Sequence, residues 1–309
     1  MESLPDWLTP LPDAEAMRRV DGWAIEQQGV PSLELMERAG EAVARAVEVH
    51  ASDGPIAVVC GKGNNGGDGL VAARMLRERG RQVSVVCVAP PEQLGGDAAA
   101  NLERLPGEAP VALAQGREAI AAAAVIVDAL LGTGFAGEPH GAVAEAIGMI
   151  GRSAAAVVAV DVPSGVDASS GAVAGSAVRA AITVTFHAAK PGLWIMPGKA
   201  CAGEVRTVDI GIPRAAPLDA RVGLTSPAVG EQLPRRASAS TKFASGQVLV
   251  AGGSRGLTGA PRMAAHASMR AGAGYVIACV PASLQDVLAT AATPELMTRG
   301  LPERDGALA

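Results

Sequence analysis

The sequence predicts an α/β protein with a parallel sheet covered by helices on both faces, a Rossmann-like three-layer sandwich, followed by part of a second α/β domain. Three observations carry this. Short apolar, β-branched runs alternate with segments of helical period. Three of these runs end in polar, Gly-rich loops, after Cys60, at Asp128 and at Asp161. A Pro-rich stretch after Ile212 precedes a second β-α-β pattern. At about 150 residues per domain, 309 residues leave room for two domains or one large one.

The first fifty residues read as two helices. Asp13 is a candidate N-cap, Met17, Val20, Ala24 and Ile25 recur at helical spacing, and Gly29 stops the run. Pro31-Ser32 starts the next helix, whose Leu33, Leu35, Met36, Ala39, Val43 and Val47 make an apolar face. The period then changes to a strand, Ile56 to Cys60, and a loop, Gly61 to Gly69. A helix follows from Leu70 to Arg79, then a strand from Val83 to Val88. Helical stretches at Gly96–Arg104 and Arg117–Ala122 flank a weak strand at Val111–Leu113. Val125 to Asp128 is a strand, Ala142–Ile150 a helix, and Ala155 to Val160 a strand running into Asp161-Val-Pro-Ser-Gly165. Further strands are expected at Ala181–Phe186 and Glu204–Ile210.

Residues 213–240, with Pro213, Pro217, Pro227 and Pro234, read as an interdomain linker between a domain over 1–212 and a partial one over 241–309. The latter offers a strand at Val248–Ala251, a Gly-rich loop to Ala260, a helix at Pro261–Gly272, a strand at Tyr275–Val280 and a last helix. About seventy residues rarely make a stable α/β domain alone.

Composition excludes several classes. Hydrophobic residues make up 49% and charged ones 18%, so the chain can bury a core. A net charge of −5 and only 2% aromatics argue against nucleic-acid partners, which need basic surfaces or stacking platforms. The apolar run Ala119 to Val127 ends at Asp128, far short of the roughly 20 residues a membrane span needs. The N-terminus lacks the basic start and apolar stretch of a signal peptide. The four cysteines show no C-x-x-C; Cys60 and Cys87 read as buried strand residues. The expectation is a cytoplasmic protein without membrane or nucleic-acid partners.

Gly61-Lys-Gly-Asn-Asn-Gly66 fits the dinucleotide pattern G-x-G-x-x-G after a strand. The acidic residue expected about 20 positions on, at the end of the next strand, is missing from Val83 to Ala89. No G-x-x-x-x-G-K-[ST] is present either. An ordinary Rossmann or P-loop site therefore fails its own check. A ligand-free Gly-rich turn is the plain alternative, although Asn64, Asn65 and Asp68 are polar for one. Asp128 and Asp161, each ending a strand, could simply cap the turns that follow. Asn65, Asp128 and Ser164 together supply only hard oxygen ligands, a set that suits a hard cation better than zinc or copper. In an open α/β sheet the carboxyl ends of the strands share an edge, so the three loops should converge on one pocket.

In order along the chain, GKGNNGGDG, DALLGTGFAG and VDVPSGVDASSG resemble the N-terminal domain of the YjeF family of NAD(P)H-hydrate repair proteins. The resemblance spans roughly residues 10–212 and includes Phe186, Lys190, Pro191 and Gly192. It implies an NAD(P)H-hydrate epimerase, which interconverts the R and S forms of a nicotinamide ring hydrated at C6. It further implies that Asn64, Asn65, Gly66, Gly67 and Asp68 contact the hydrated dinucleotide. Gly132, Thr133, Gly134, Phe135, Ala136, Gly137 and Glu138 would wrap its pyrophosphate. Asn65, Asp128 and Ser164 would hold a potassium ion, and Asp161 would lie at the nicotinamide end as the acid/base group. The family also suggests a homo-oligomer, a dimer of this domain.

The tail resembles the opening of the family's ribokinase-like partner domain, an ADP-dependent dehydratase of (S)-NAD(P)H-hydrate. Lys242, Gly252-Gly-Ser254 and Leu257-Thr-Gly-Ala-Pro261 match it, and Ala260 would touch substrate. The later G-T-G-D motif of that domain is absent here, so dehydratase activity is expected to be lost. Two rival readings are a non-catalytic scaffold and a small-molecule kinase. The four histidines share no spacing and are not expected in the chemistry.

Overall fold

A computed structural model describes residues 4–50 and 53–309; residues 1–3 and 51–52, including the very start of the N-terminus discussed above, lie outside the described residues. The chain divides into two compact units, Met1–Val229 and Gly230–Ala309.

The first unit is built on a seven-stranded, all-parallel sheet. Its strands are β2 (Ile56–Cys60), β3 (Val83–Cys87), β4 (Val111–Ala112), β5 (Val125–Ala129), β6 (Ala156–Val160), β7 (Ile182–Phe186) and β8 (Glu204–Val208), in spatial order β4-β3-β2-β5-β6-β7-β8. Strand alternation divides each strand between two cores. Ile56, Val58 and Cys60 face one apolar cluster, and Ala57 and Val59 face the other. The first cluster lies under α2 (Ser32–His50), α3 (Asn64–Glu78) and α4 (Gly96–Glu103), joined by α1 (Ala14–Gly22). The second lies under α5 (Arg117–Ala122) and α6 (Gly141–Arg152), and a short α7 (Lys199–Ala202) precedes β8. Asp13 caps α1 as expected, its carboxylate accepting from the Ala16 amide at 2.8 Å. A five-residue π-helical turn, Trp23–Gln27, continues that helix.

Two expectations are corrected here. The Gly-rich segment after β2 is not a loop to Gly69, because helix α3 begins at Asn64. Gly66, Gly67 and Gly69 are therefore helical, and close packing is the reason glycine stands there. An added Cβ would sit 2.0 Å from the Gly61 carbonyl oxygen at Gly66, 2.6 Å from Met36 Sδ at Gly67, and 2.5 Å from Ala129 Cβ at Gly69. Contact with the sheet and α2 overrides the poor helix propensity of glycine. The second correction concerns residues 213–240. Within them β9 (Val222–Thr225) pairs antiparallel with an N-terminal strand, β1 (Leu8–Leu11), so part of the expected linker is built into the first unit.

The second unit holds a three-stranded parallel sheet, β10 (Gln247–Ala251), β11 (Tyr275–Pro281) and β12 (Met297–Leu301), in that order, with α8 (Gly259–Arg270) and α9 (Gln285–Ala291). Val276, Ala278, Val280, Ala265 and Leu288 form its small core, while Leu249 is 64% exposed. The sequence reading missed β12. All four cysteines are free and buried. Among the described residues no helix is long and apolar enough to cross a membrane.

Candidate functional site

Strand order reverses direction between β2 and β5, and the crevice beyond their carboxyl ends is where open α/β sheets bind ligands. A cavity of about 810 Å³ opens there. It is lined by Asn64, Asn65 and Asp68 of α3, by Gly132, Thr133, Gly134 and Phe135 after β5, by Asp161 after β6, and by Phe186 and Lys190 at the end of β7. The three loops do converge, as the sequence implied.

Not every expected residue faces the cavity. Gly66 and Gly67 are buried in helix packing, and Ala136, Gly137 and Glu138 do not line it. Asp128 and Ser164 are fully buried, beneath Leu130-Leu131. Ala260 is exposed at the start of α8 in the second unit.

Asp161 is the most constrained of these side chains. It leaves β6 with φ +64°, a left-handed conformation that is costly for most side chains but within reach of Asp. Its Oδ1 accepts from Lys190 Nζ at 2.6 Å and from Thr185 Oγ1 at 3.1 Å. Its Oδ2 accepts from the Thr133 amide at 3.1 Å and from the Thr133 hydroxyl. Lys190, 1% exposed, also donates to Thr185 Oγ1 at 2.8 Å and to the Phe186 carbonyl at 3.1 Å. Burial pushes the Asp161 carboxyl up, but the Lys190 ammonium and the Thr133 donors outweigh it and hold the group below the usual range. The Asp161 carboxylate thus stays ionised although it is almost wholly buried.

Two further carboxyls share the cavity. Asp68 is pushed well above the usual range by burial and then by the charges of Asp161 and Asp21, against a smaller opposing effect of Lys190. Asp21, on α1, is also raised by burial, which the Lys190 charge counters in part, and further by Asp161. Sequence reasoning missed Asp21 and gave Lys190 no role of its own. A signal for Asp21 existed: Met17, Asp21 and Ile25 follow each other four residues apart, so the carboxylate interrupts an otherwise apolar stripe.

Asn65, Asp128 and Ser164 do come together. Ser164 Oγ donates to Asp128 Oδ1 at 2.6 Å, and the Ser164 amide to Oδ2 at 2.8 Å. Asn65 Nδ2 donates to the Leu131 carbonyl at 2.9 Å, and Ser164 Oγ accepts from the Leu131 amide at 2.9 Å. A Cβ on Gly132 would lie 2.8 Å from Asn65 Oδ1, so only glycine leaves that oxygen clear. Burial raises Asp128 to about 6, against the lowering effect of its Ser164 and Leu130 donors. All of those donors are neutral. Among the described residues no ammonium or guanidinium is bonded to this buried carboxylate, and its oxygen-rich surroundings fit a hard cation. Among the described residues no group of three His, Cys, Asp or Glu side chains is placed to hold a metal.

Comparison with known proteins places these features in context. The family model for the YjeF-related protein N-terminus matches residues 32–192. A bifunctional NAD(P)H-hydrate repair enzyme Nnr from Moorella thermoacetica is 42% identical over 305 residues, covering 94% of this chain and 57% of the relative. An NAD(P)H-hydrate epimerase from Pirellula staleyi is 42% identical over 212 residues, covering 66% of this chain and 93% of the relative. The chain spans little more than half the length of the bifunctional relatives. The crystal structure of yeast ynu0 (YNL200c) superposes with a TM-score of 0.53 at 24% identity, covering 64% of this chain and 86% of that one, a likeness of fold.

Proposed function

The chain belongs to the YjeF-related N-terminal family, and from that premise we propose that its first unit is an NAD(P)H-hydrate epimerase. One observation carries the reading: a buried Asp161–Lys190 ion pair forms the wall of an 810 Å³ cavity at the sheet's switch point, beside the exposed amino end of α3. Gly63, the residue before α3, gives no side-chain cap, which leaves the first amides of the helix free for a phosphate. Asn64, Asn65 and the Gly132–Phe135 turn would bind the dinucleotide. Asp161 would act at the nicotinamide end, where the C6 hydroxyl beside the ring nitrogen calls for proton transfer.

Asn65, Asp128 and Ser164 would hold a potassium ion, whose charge would neutralise Asp128 and stiffen the Leu130–Gly132 turn. The second unit would be the opening of an ADP-dependent dehydratase domain. These 309 residues hold the opening of that domain and not its G-T-G-D motif. The test is incubation with (R)-NADPH-hydrate without nucleotide, with the two epimers followed by chromatography. Asp161→Asn should cut turnover about 100-fold or more. Turnover close to that of the unaltered protein would remove Asp161 from the chemistry.

A further inference from the structure

Asp161 alone is a poor carrier for a reversible proton transfer. Lys190, Thr185 and the two Thr133 donors hold its carboxylate ionised, so it can take a proton but at rest has none to give. Inverting the C6 centre by loss and return of water also takes two groups. The hydroxyl leaves from one face of the ring, and water must return on the other. One group has to give a proton while a second, held ionised, receives one.

Asp68 supplies the missing half. It lies on α3, one helical turn after Asn64, and lines the same cavity as Asp161. No protein group among the described residues donates a hydrogen bond to its carboxyl, so the group is free to turn to a ligand. The charges facing it come from several elements. Asp21 of α1, Asp161 after β6 and Lys190 after β7 act on it, while Arg18, Lys62 and Asp97 line other parts of the same cavity. Helix α2 brings only uncharged side chains to this wall, and Asp128 of β5 is turned into its own Ser164 contacts.

We propose that Asp68 is the proton donor of the epimerase and Asp161 its acceptor across the shared cavity, with Asp21 as the neighbouring carboxyl that tunes Asp68. The proposal rests on the epimerase reading above. In the forward step the Asp68 proton passes to the C6 hydroxyl oxygen. The C6–O bond breaks with its electron pair on oxygen, water leaves, and the lone pair on the ring nitrogen forms the C6=N bond. Water then adds to the other face. Its oxygen bonds C6, the C=N pair returns to nitrogen, and its proton goes to Asp161. The reverse epimerisation runs with the two roles exchanged, and cavity water returns the proton between turnovers.

Asp68→Asn keeps the shape and removes the proton. It should lower kcat by about 100-fold or more, with KM changed less than threefold and an unaltered circular dichroism spectrum. Asp21→Asn removes a negative charge beside Asp68 and should move the alkaline limb of the kcat pH profile to lower pH. A purely structural role for Asp21 would leave that limb in place. Turnover of D68N within threefold of the parent, or an unmoved limb in D21N, overturns the assignment. A second readout needs no activity: carboxyl ¹³C titration of the Asp-labelled protein should show Asp68 protonated well above the ordinary carboxylate range, and less so in D21N. If the unaltered protein fails to interconvert the epimers while Asp68 titrates high, the epimerase reading fails and the proton-holding cluster stands. If Asp68 titrates in the ordinary range, this inference fails whatever the activity.

Discussion

Replacing Lys190 by Met would leave Asp161 as a buried carboxylate with hydroxyl and amide donors and no counter-charge. Lys190 and Asp161 are 1% and 8% exposed, and the Nζ–Oδ1 distance is 2.6 Å, so the pair belongs to the buried class. Removing one partner of such a pair costs about 3–5 kcal/mol. The two Thr133 donors and Thr185 soften this, which places the expected loss near 3 kcal/mol, at the low end of that range. The sign of its pH dependence follows from Asp161. In the parent its carboxyl is held below the unfolded value, so its contribution is present above that value and is lost only as pH falls through the lowered one. Without Lys190, burial would raise the group instead. Stability would then be lost as pH rises through the new value, and the deficit should grow from pH 5 to pH 8. Urea denaturation followed by tryptophan fluorescence isolates the relevant unit, since Trp7, Trp23 and Trp194 all lie before residue 230. The double variant K190M/D161N removes both charges and should recover more than half of the loss. A K190M protein within 1 kcal/mol of the parent, or a double variant as unstable as the single one, would refute this account of the pair.

Asp128 gives a second handle. With its carboxyl raised to about 6, stability in potassium-free buffer should be full below about pH 4 and fall as pH rises through 6, by up to about 3 kcal/mol. Potassium chloride should flatten that slope in thermal-melt series, more than the same concentration of sodium chloride, and Asp128→Asn should abolish the difference. The helical glycines are testable by Ala substitution. At Gly67 the obstacle is the mobile end of Met36, so a gain of about 1 kcal/mol in helix propensity is set against about 1–3 kcal/mol of overpacking. At Gly66 the obstacle is the Gly61 carbonyl, so G66A should unfold at lower urea than G67A, and the reverse order would sink the packing argument.

The central strands were readable because they are short β-branched runs buried on both faces, as in Val125-Ile-Val and Ala156-Val-Val. The start of α3 was not, because three glycines in its first two turns oppose local helix propensity and only contact with Met36, Gly61 and Ala129 selects them. The Asp161–Lys190 pair was legible as two motifs and illegible as a bond, since 29 residues and a full strand separate the partners. The β1–β9 ladder was hidden by Pro10 and by the distance between its strands.

That ladder also fixes a timetable. Leu8 and its partner Thr225 are 217 positions apart (225 − 8). At translation rates of about 5–20 residues per second, the nascent chain carries β1 for roughly 10–40 s before β9 has been made. Through that interval the strand is an open edge of the kind that recruits other chains. Pro10 at its centre offers no amide to a wrong partner and so guards the newborn chain until its own partner emerges.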